Sequence, residues 1–193
     1  MIICKTPLRI SFFGGGSDYK QWVENEPGVT LSTTIDKYIY ITLRELPKFF
    51  NHNYRIVYSK VEMVRNIKEI QHHAIKGILN NFNINKGLEI HYDSDLPAKS
   101  GMGSSSSFVV GLLNSLYAFK KKKISKKDLS LKSIYFEQKI LKETVGMQDQ
   151  IACSYGGFNE IKFLSNKKFI VSSLDIKKNQ LMKFQKNLFL VYT

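Results

Sequence analysis

The chain of 193 residues is poor in cysteine, in arginine and in long apolar runs. The two cysteines, Cys4 and Cys153, show no metal-ligand spacing and fit a reducing compartment, and nothing in the sequence supports a disulfide between them. No apolar run approaches the roughly 20 residues that a membrane-spanning helix needs. The start, Met1-Ile2-Ile3-Cys4-Lys5, lacks the basic start, long apolar stretch and small-residue cleavage site of a secretory signal. A cytoplasmic protein is the expectation.

Arginine is scarce against lysine, 4 to 25, although the formal net charge is +13. Arginine is the better residue for bidentate contacts to phosphate and guanine, so its scarcity argues against a nucleic-acid binder. Heavy use of Lys, Asn and Ile is what AT-rich coding produces without selection for a basic surface. The densest run, Lys120-Lys121-Lys122-Lys123 with Lys126 and Lys127, follows a helix, where cations suit the helix dipole. It reads as a solvated helix end.

What is present is ordinary globular material, 43% hydrophobic with 12 glycines, enough for one domain with a real core. Ile2–Phe12 reads as a strand broken early by Pro7. Residues 29–43 read as one strand, or two with a break near Asp36-Lys37, with Ile39, Ile41 and Leu43 on one face. A further strand is expected over 54–58, a helix over 67–80, a strand over 87–92 and a helix over 108–117. A helix over 130–142 carrying Glu137 follows, then strands over 158–163, 169–174 and 188–192. The interleaving is not a regular βαβ repeat, so α+β is the expected class.

The sharpest local feature is Pro97-Ala98-Lys99-Ser100-Gly101-Met102-Gly103-Ser104-Ser105-Ser106, running into the helix at Phe108. A glycine-rich turn before a helix start aims backbone N–H groups and the positive dipole end at an anion. A plain capped helix start would look the same. No Lys follows Gly103, as a Walker loop requires, and position 106 is Ser where a Rossmann fingerprint needs Gly.

The spacing instead resembles the central motif of the GHMP kinases (galactokinase, homoserine, mevalonate and phosphomevalonate kinases). Two more segments support the resemblance. Pro7-Leu8-Arg9-Ile10-Ser11-Phe12-Phe13-Gly14-Gly15-Gly16-Ser17-Asp18-Tyr19 is similar, without a gap, to the family's N-terminal sugar-kinase signature. Glu137 with Gly146-Met147-Gln148-Asp149-Gln150 is similar to its Glu…Gly-x-x-Asp-Gln segment. The resemblance implies an α+β GHMP kinase N-terminal domain, like domain 2 of ribosomal protein S5, over residues 1–193. It also implies that a C-terminal GHMP domain lies outside this chain.

By the same resemblance, Pro97, Ser100, Gly101, Met102, Gly103, Ser104, Ser105 and Ser106 are expected to bind ATP. Ser105 and Glu137 are the expected Mg²⁺ ligands, a hydroxyl and a carboxylate suited to a hard octahedral ion. Asp149 is the expected general base for the acceptor hydroxyl, and Arg9 beside it the group that offsets charge on the transferring phosphoryl. Gly15, Gly16, Ser17, Asp18 and Gly146 are the expected sugar site, with Asp18 accepting sugar hydroxyls.

Gly15 and Gly16 replace the Glu and His of the galactokinase signature, which argues against galactose and leaves room for a bulkier or phosphorylated sugar. Phe12–Asp18 with Leu31–Tyr38 looks most like the D-glycero-D-manno-heptose 7-phosphate kinases, which phosphorylate C1 on the way to GDP-activated heptose for surface polysaccharide. Fucokinase-like members are similar, and a non-catalytic sugar- or nucleotide-binding fragment is the alternative outside enzymes. Lys37, Arg44 and Lys99 are the candidate contacts for a substrate phosphate, and Asp36 either faces the sugar or ends a strand. The expected partners are a sugar or sugar phosphate, with no nucleic acid and no membrane, and a homodimer is left open.

Overall fold

The computed structural model describes all residues except Asn85, Ala98, Lys99, Lys167, Leu190, Tyr192 and Thr193. Its backbone is one sheet with a helical layer on one face. The chain opens with β1 (Ile2–Phe13), a four-residue helix α1 (Lys20–Val23) and the long β2 (Gly28–Glu45). β3 (Tyr54–Val57), β4 (Val61–Val64) and a 3₁₀ turn (Ile67–Glu69) lead to α2 (His73–Phe82), then β5 (Leu88–Ser94). The second half runs α3 (Ser104–Phe119), α4 (Lys126–Tyr135), a π turn (Phe136–Ile140) and α5 (Gln148–Tyr155). It ends on β6 (Phe158–Leu164), β7 (Lys168–Ser173) and α6 (Lys178–Gln185).

The sheet order is β4-β3-β5-β2-β6-β7, with β1 also on β2. β2 is the spine. β1 lies antiparallel along one edge, from Ile2 opposite Leu43 to Phe13 opposite Leu31. The other edge is shared: β6 pairs with Gly28–Thr33 and β5 with Ile39–Glu45. The break expected near Asp36 is therefore a change of partner within a continuous strand. Pro7 does not break β1 either. It sits where the register shifts between Pro7 and Arg9, a bulge that tolerates a residue without an N–H.

Ile39, Ile41 and Leu43 are fully buried on the face that α3 covers, as their alternation predicts. Leu112, Leu113 and Leu116 of α3 meet them. Ser107 Oγ, on the second turn of α3, donates to the Pro7 carbonyl at 3.0 Å and so ties the helix to the bulge of β1. A smaller apolar cluster of Val23, Ile134, Met147, Ile151, Ile161 and Phe163 joins α1, α4 and α5 to β6.

The helix expected over 67–80 is two pieces. The Glu62 carboxylate accepts the N–H groups of Gln71 (2.6 Å) and His72 (3.1 Å), which removes them from a helical ladder, and α2 restarts at His73. The helix expected over 130–142 starts earlier, at Lys126, where Ser125 Oγ accepts the Asp128 N–H at 3.0 Å, and it ends in the π turn. The strand expected over 188–192 is not formed at Leu188, Phe189 or Val191, and Leu190 and Tyr192 lie outside the described residues. The end of the chain is instead held by α6, whose Phe184 ring meets Phe12 at 5.3 Å and Phe158 at 6.1 Å. No described helix is long and apolar enough to cross a membrane.

Candidate active site

Three segments distant in sequence converge at the start of α3. The turn before it runs through Gly101 (φ +73°) and Gly103 (φ +72°), left-handed conformations that a side chain would strain. Gly103 is the N-cap residue, and no side chain caps the helix. Among the described residues, the N–H groups of Ser104, Ser105 and Ser106 thus open the first turn without a side chain to receive them, the arrangement that suits an incoming anion. β1 is fastened to this turn, since the Arg9 N–H donates to the Met102 carbonyl at 3.1 Å and Arg9 Nη1 to the Gly101 carbonyl at 2.9 Å.

Two further donors of the Arg9 guanidinium go to Asp149. Nε donates to Oδ1 at 2.8 Å and Nη2 to Oδ2 at 2.7 Å, a fork-to-fork pair. Gly103 closes over it: a Cβ there would lie 3.2 Å from Arg9 Cγ and 3.4 Å from Asp149 Oδ2. The glycine turn, the cation and the carboxylate are therefore one packed unit.

Glu137 is fully buried in the π turn between α4 and α5. Ser106 Oγ donates to its Oε2 at 2.9 Å, and Gln150 Nε2 donates to the same oxygen. Oε1 has no hydrogen-bond partner among the described residues. Burial pushes this carboxyl up to about 7, against the hydrogen bonds from Gln150 and Ser106, which pull it down. An orphaned buried carboxylate oxygen beside serine hydroxyls is a donor set that fits Mg²⁺. The expected partnership of Ser105 with Glu137 is not what the side chains make: Ser105 is exposed, and Ser106 touches the carboxylate. Among the described residues, no three His, Cys, Asp or Glu side chains cluster to hold a metal alone.

Asp18, expected to accept sugar hydroxyls, is 1% exposed, and it lines a cavity of about 500 Å³ with Glu24, Gln138 and Glu143. Oδ2 accepts the N–H groups of Met147 (2.7 Å) and Gln148 (2.9 Å), and Oδ1 accepts from Gln148 Nε2 at 3.2 Å. Gly146 leaves the room for it, because a Cβ at that position would collide with Oδ2. Ser17 is used within its own turn, its hydroxyl donating to the Gly14 carbonyl at 2.7 Å. Gly15 and Gly16 are exposed, with open space where their side chains would be.

Beside the Arg9–Asp149 pair lies a cavity of about 600 Å³. Arg9, Ser11, Asp36, Lys37, Gly101 and Met102 line it, and Gln185, Leu188 and Phe189 close it from the far end of the chain. Of the candidate phosphate contacts, Lys37 lines this cavity. Arg44 is committed elsewhere, with Arg55 and His91, to the buried Glu89 carboxylate on the opposite face of the sheet. Lys99 lies outside the described residues. Pro97 and Ser100 precede the turn, Pro97 exposed and the Ser100 hydroxyl buried without a partner.

A family model described as the GHMP kinases N terminal domain matches residues 64–157, which contain the α3 turn, Glu137 and Asp149. Residues 64–157 belong to the GHMP kinase family's N-terminal domain. It is 31% identical over 185 residues to the D-glycero-alpha-D-manno-heptose 7-phosphate kinase of Campylobacter jejuni subsp. jejuni serotype O:2. That match takes in 90% of this chain and 54% of the relative. The backbone is similar to a crystal structure of a D-glycero-D-manno-heptose 1-phosphate kinase from Bacteroides thetaiotaomicron, with TM-score 0.81 and 27% identity, over 92% of this chain and 61% of that one. It also shares the fold of Lactococcus lactis galactokinase complexed with galactose, at TM-score 0.68 and 16% identity, over 91% and 48% of the two chains. The chain thus spans about half the length of the curated relative it matches.

Within this GHMP kinase domain, sequence reasoning missed the glutamines. Gln148 links Ser11, whose hydroxyl donates to Gln148 Oε1 at 2.7 Å, to Asp18, and Gln150 reaches Glu137. Both stand beside Asp149 in the Gly146–Gln150 run. Their spacing on a helix, one residue either side of Asp149, was the available signal that they face different neighbours.

Proposed function

We propose that this chain is the N-terminal, ATP-binding domain of a sugar 1-kinase whose substrate is a heptose 7-phosphate. Residues 1–193 form that domain, and a C-terminal GHMP domain outside the chain completes the enzyme. The observation that carries the reading is the Arg9–Asp149 pair locked beneath Gly103 at the uncapped start of α3. A phosphoryl-transfer site needs an anion cradle, a cation and an oriented proton acceptor, and here all three are one unit.

In this reading the backbone of Gly101–Ser106 holds the ATP phosphates, and Asp149 takes the proton of the C1 hydroxyl as its oxygen attacks the γ-phosphorus and ADP departs. Arg9 keeps Asp149 oriented and offsets charge on the transferring group. Glu137 with Ser105 or Ser106 would hold Mg²⁺, which when bound neutralises phosphate charge. The 600 Å³ cavity takes the sugar against Asp36, and Lys37 meets the 7-phosphate. That cation in the cavity supports a phosphorylated sugar over a free fucose or galactose. The product is a 1,7-bisphosphate, destined for cytoplasmic activation of heptose for surface polysaccharide.

The test is direct. The full-length protein is given Mg-ATP with D-glycero-D-manno-heptose 7-phosphate, or with fucose, galactose or mannose, and the products are read by ³¹P NMR. A new anomeric phosphate only with the heptose 7-phosphate is expected. Preference for free fucose would overturn the substrate assignment, and no phosphate on any sugar would favour a binding role.

A further inference from the structure

The first turn of α5 sends three consecutive side chains in three directions. Successive residues of a helix stand about 100° apart around its axis. Gln148 meets Ser11 and Asp18, Asp149 meets Arg9, and Gln150 meets Glu137. The last contact is the most enclosed, since Gln150 and Glu137 are each 0% exposed.

The way these two groups are joined leaves one oxygen of each unused. Gln150 Nε2 and Ser106 Oγ both donate to Glu137 Oε2. Glu137 Oε1 and Gln150 Oε1 are both buried, and neither has a hydrogen-bond partner among the described residues. A buried acceptor without a donor is costly, and here two of them belong to one bonded pair. A hydrated divalent cation would satisfy both at once. Mg²⁺ takes a carboxylate oxygen and keeps several waters, whose hydrogens need acceptors of their own. The two anchors of Glu137 are also neutral, and among the described residues no cation pairs with it. A lysine or arginine at 150 would hold the carboxylate as firmly but would neutralise it and compete with the ion.

We infer that Gln150 is the positioning residue of the metal site. Its N–H fixes Glu137 Oε2 and so commits Oε1 to the ion, and its carbonyl oxygen accepts a hydrogen bond from a water on that ion. This rests on the kinase reading above, in which Glu137 holds Mg²⁺. Asp149 precedes Gln150 on the same turn, so one piece of backbone sets both the proton acceptor and the metal carboxylate.

The experiment measures metal binding apart from turnover. Mn²⁺ stands in for Mg²⁺, and its affinity for the full-length protein with a non-hydrolysable ATP analogue is read by electron paramagnetic resonance. Gln150→Met keeps the length of the side chain in a fully buried place and removes both amide groups. Its Mn²⁺ affinity is expected to fall roughly 10- to 100-fold, the usual effect of losing a group that orients a metal ligand. Affinity for the analogue in EDTA, and the sugar KM at saturating metal, are expected to change less than about threefold. A role in helix packing alone would lower the melting temperature and leave Mn²⁺ affinity in place, and that result would overturn the inference.

Should Gln150→Met fail to fold, Gln150→Asn carries the test. It keeps the amide but falls one methylene short of Glu137 Oε2, so the same loss of Mn²⁺ affinity is expected, and wild-type affinity would contradict the inference. Glu137→Gln in the same titration separates the inference from the kinase reading. Wild-type affinity in that variant would remove the metal site itself. A loss in Glu137→Gln with none in either Gln150 variant would remove only the positioning role.

Discussion

Arg9 and Asp149, 140 residues apart, face each other through two parallel hydrogen bonds of 2.8 and 2.7 Å. Their side chains keep 13% and 24% of their surface, so the pair is sheltered without being closed off, and Arg9 lines the cavity. A third donor of the same guanidinium holds the Gly101 carbonyl. One planar cation thereby sets the geometry of Asp149 and of the Gly101–Gly103 turn together.

Arg9→Lys tests that double duty. An ammonium is a point donor and cannot make both bonds to Asp149 while holding the Gly101 carbonyl. Turnover is expected to fall roughly 10²-fold, the size of a lost charge-stabilising donor. The melting temperature should move little, because the ion pair is partly exposed. Steady-state kinetics and a thermal melt on one sample check both halves.

Gly101 and Gly103 share a left-handed backbone but not surroundings. An alanine methyl at 101 meets nothing within 4 Å, whereas at 103 it presses on Arg9 at 3.2 Å and Asp149 at 3.4 Å. Gly101→Ala should cost only backbone strain, about 1 to 2 kcal/mol. Gly103→Ala should also displace the Arg9–Asp149 pair and lower turnover at least tenfold more. Equal effects of the two substitutions would show that contact with the pair is not what requires Gly103.

The buried Glu137 carboxyl gives the metal-free protein a pH dependence. Its folded value, about 7, lies above the ordinary 4.5, so its contribution to stability is complete below pH 4.5 and is lost as pH rises through 7. The loss is on the order of 3 kcal/mol. Urea unfolding without Mg²⁺ should show stability from this group falling between pH 4.5 and 8, and Glu137→Gln should flatten that slope. Mg²⁺ should restore stability to the wild type at pH 8 and not to the glutamine variant. A slope unchanged by the substitution would mean that Glu137 is not its source.

How far the sequence spoke for itself depended on whether a feature was local. Ile39, Ile41 and Leu43 in β2, and Leu112, Leu113 and Leu116 in α3, announce their buried faces by periods of two and of about 3.6, and they are buried. The turn at Gly101–Gly103 is also legible, because glycine spacing before a run of serines carries its geometry with it. The kink at Ile70–His72 is not, since it exists because Glu62 captures two amides from another strand turn. Nor is the π turn that buries Glu137. The backbone contacts of Asp18 were hidden for the same reason, because only the fold brings the Met147 and Gln148 N–H groups to it.

Lys37 offers the test of substrate class. If it meets a phosphate in the cavity, Lys37→Ala should raise the KM for a heptose 7-phosphate roughly tenfold and leave the KM for ATP unchanged. The same variant should not affect any residual activity on a sugar without a phosphate. A parallel rise for both sugars would assign Lys37 to the ring hydroxyls instead.

The central claim is that Asp149 takes the proton from the acceptor hydroxyl, and Asp149→Asn tests it most directly. The amide keeps the size and can still accept one hydrogen bond from Arg9, but it is not a base. In the full-length protein, turnover of the sugar should fall roughly 10²- to 10⁴-fold. ATP binding, measured by calorimetry, should stay within about threefold of the wild type. Turnover surviving unchanged would contradict the account, and joint loss of turnover and ATP binding would show that Asp149 holds the nucleotide site together rather than moving a proton.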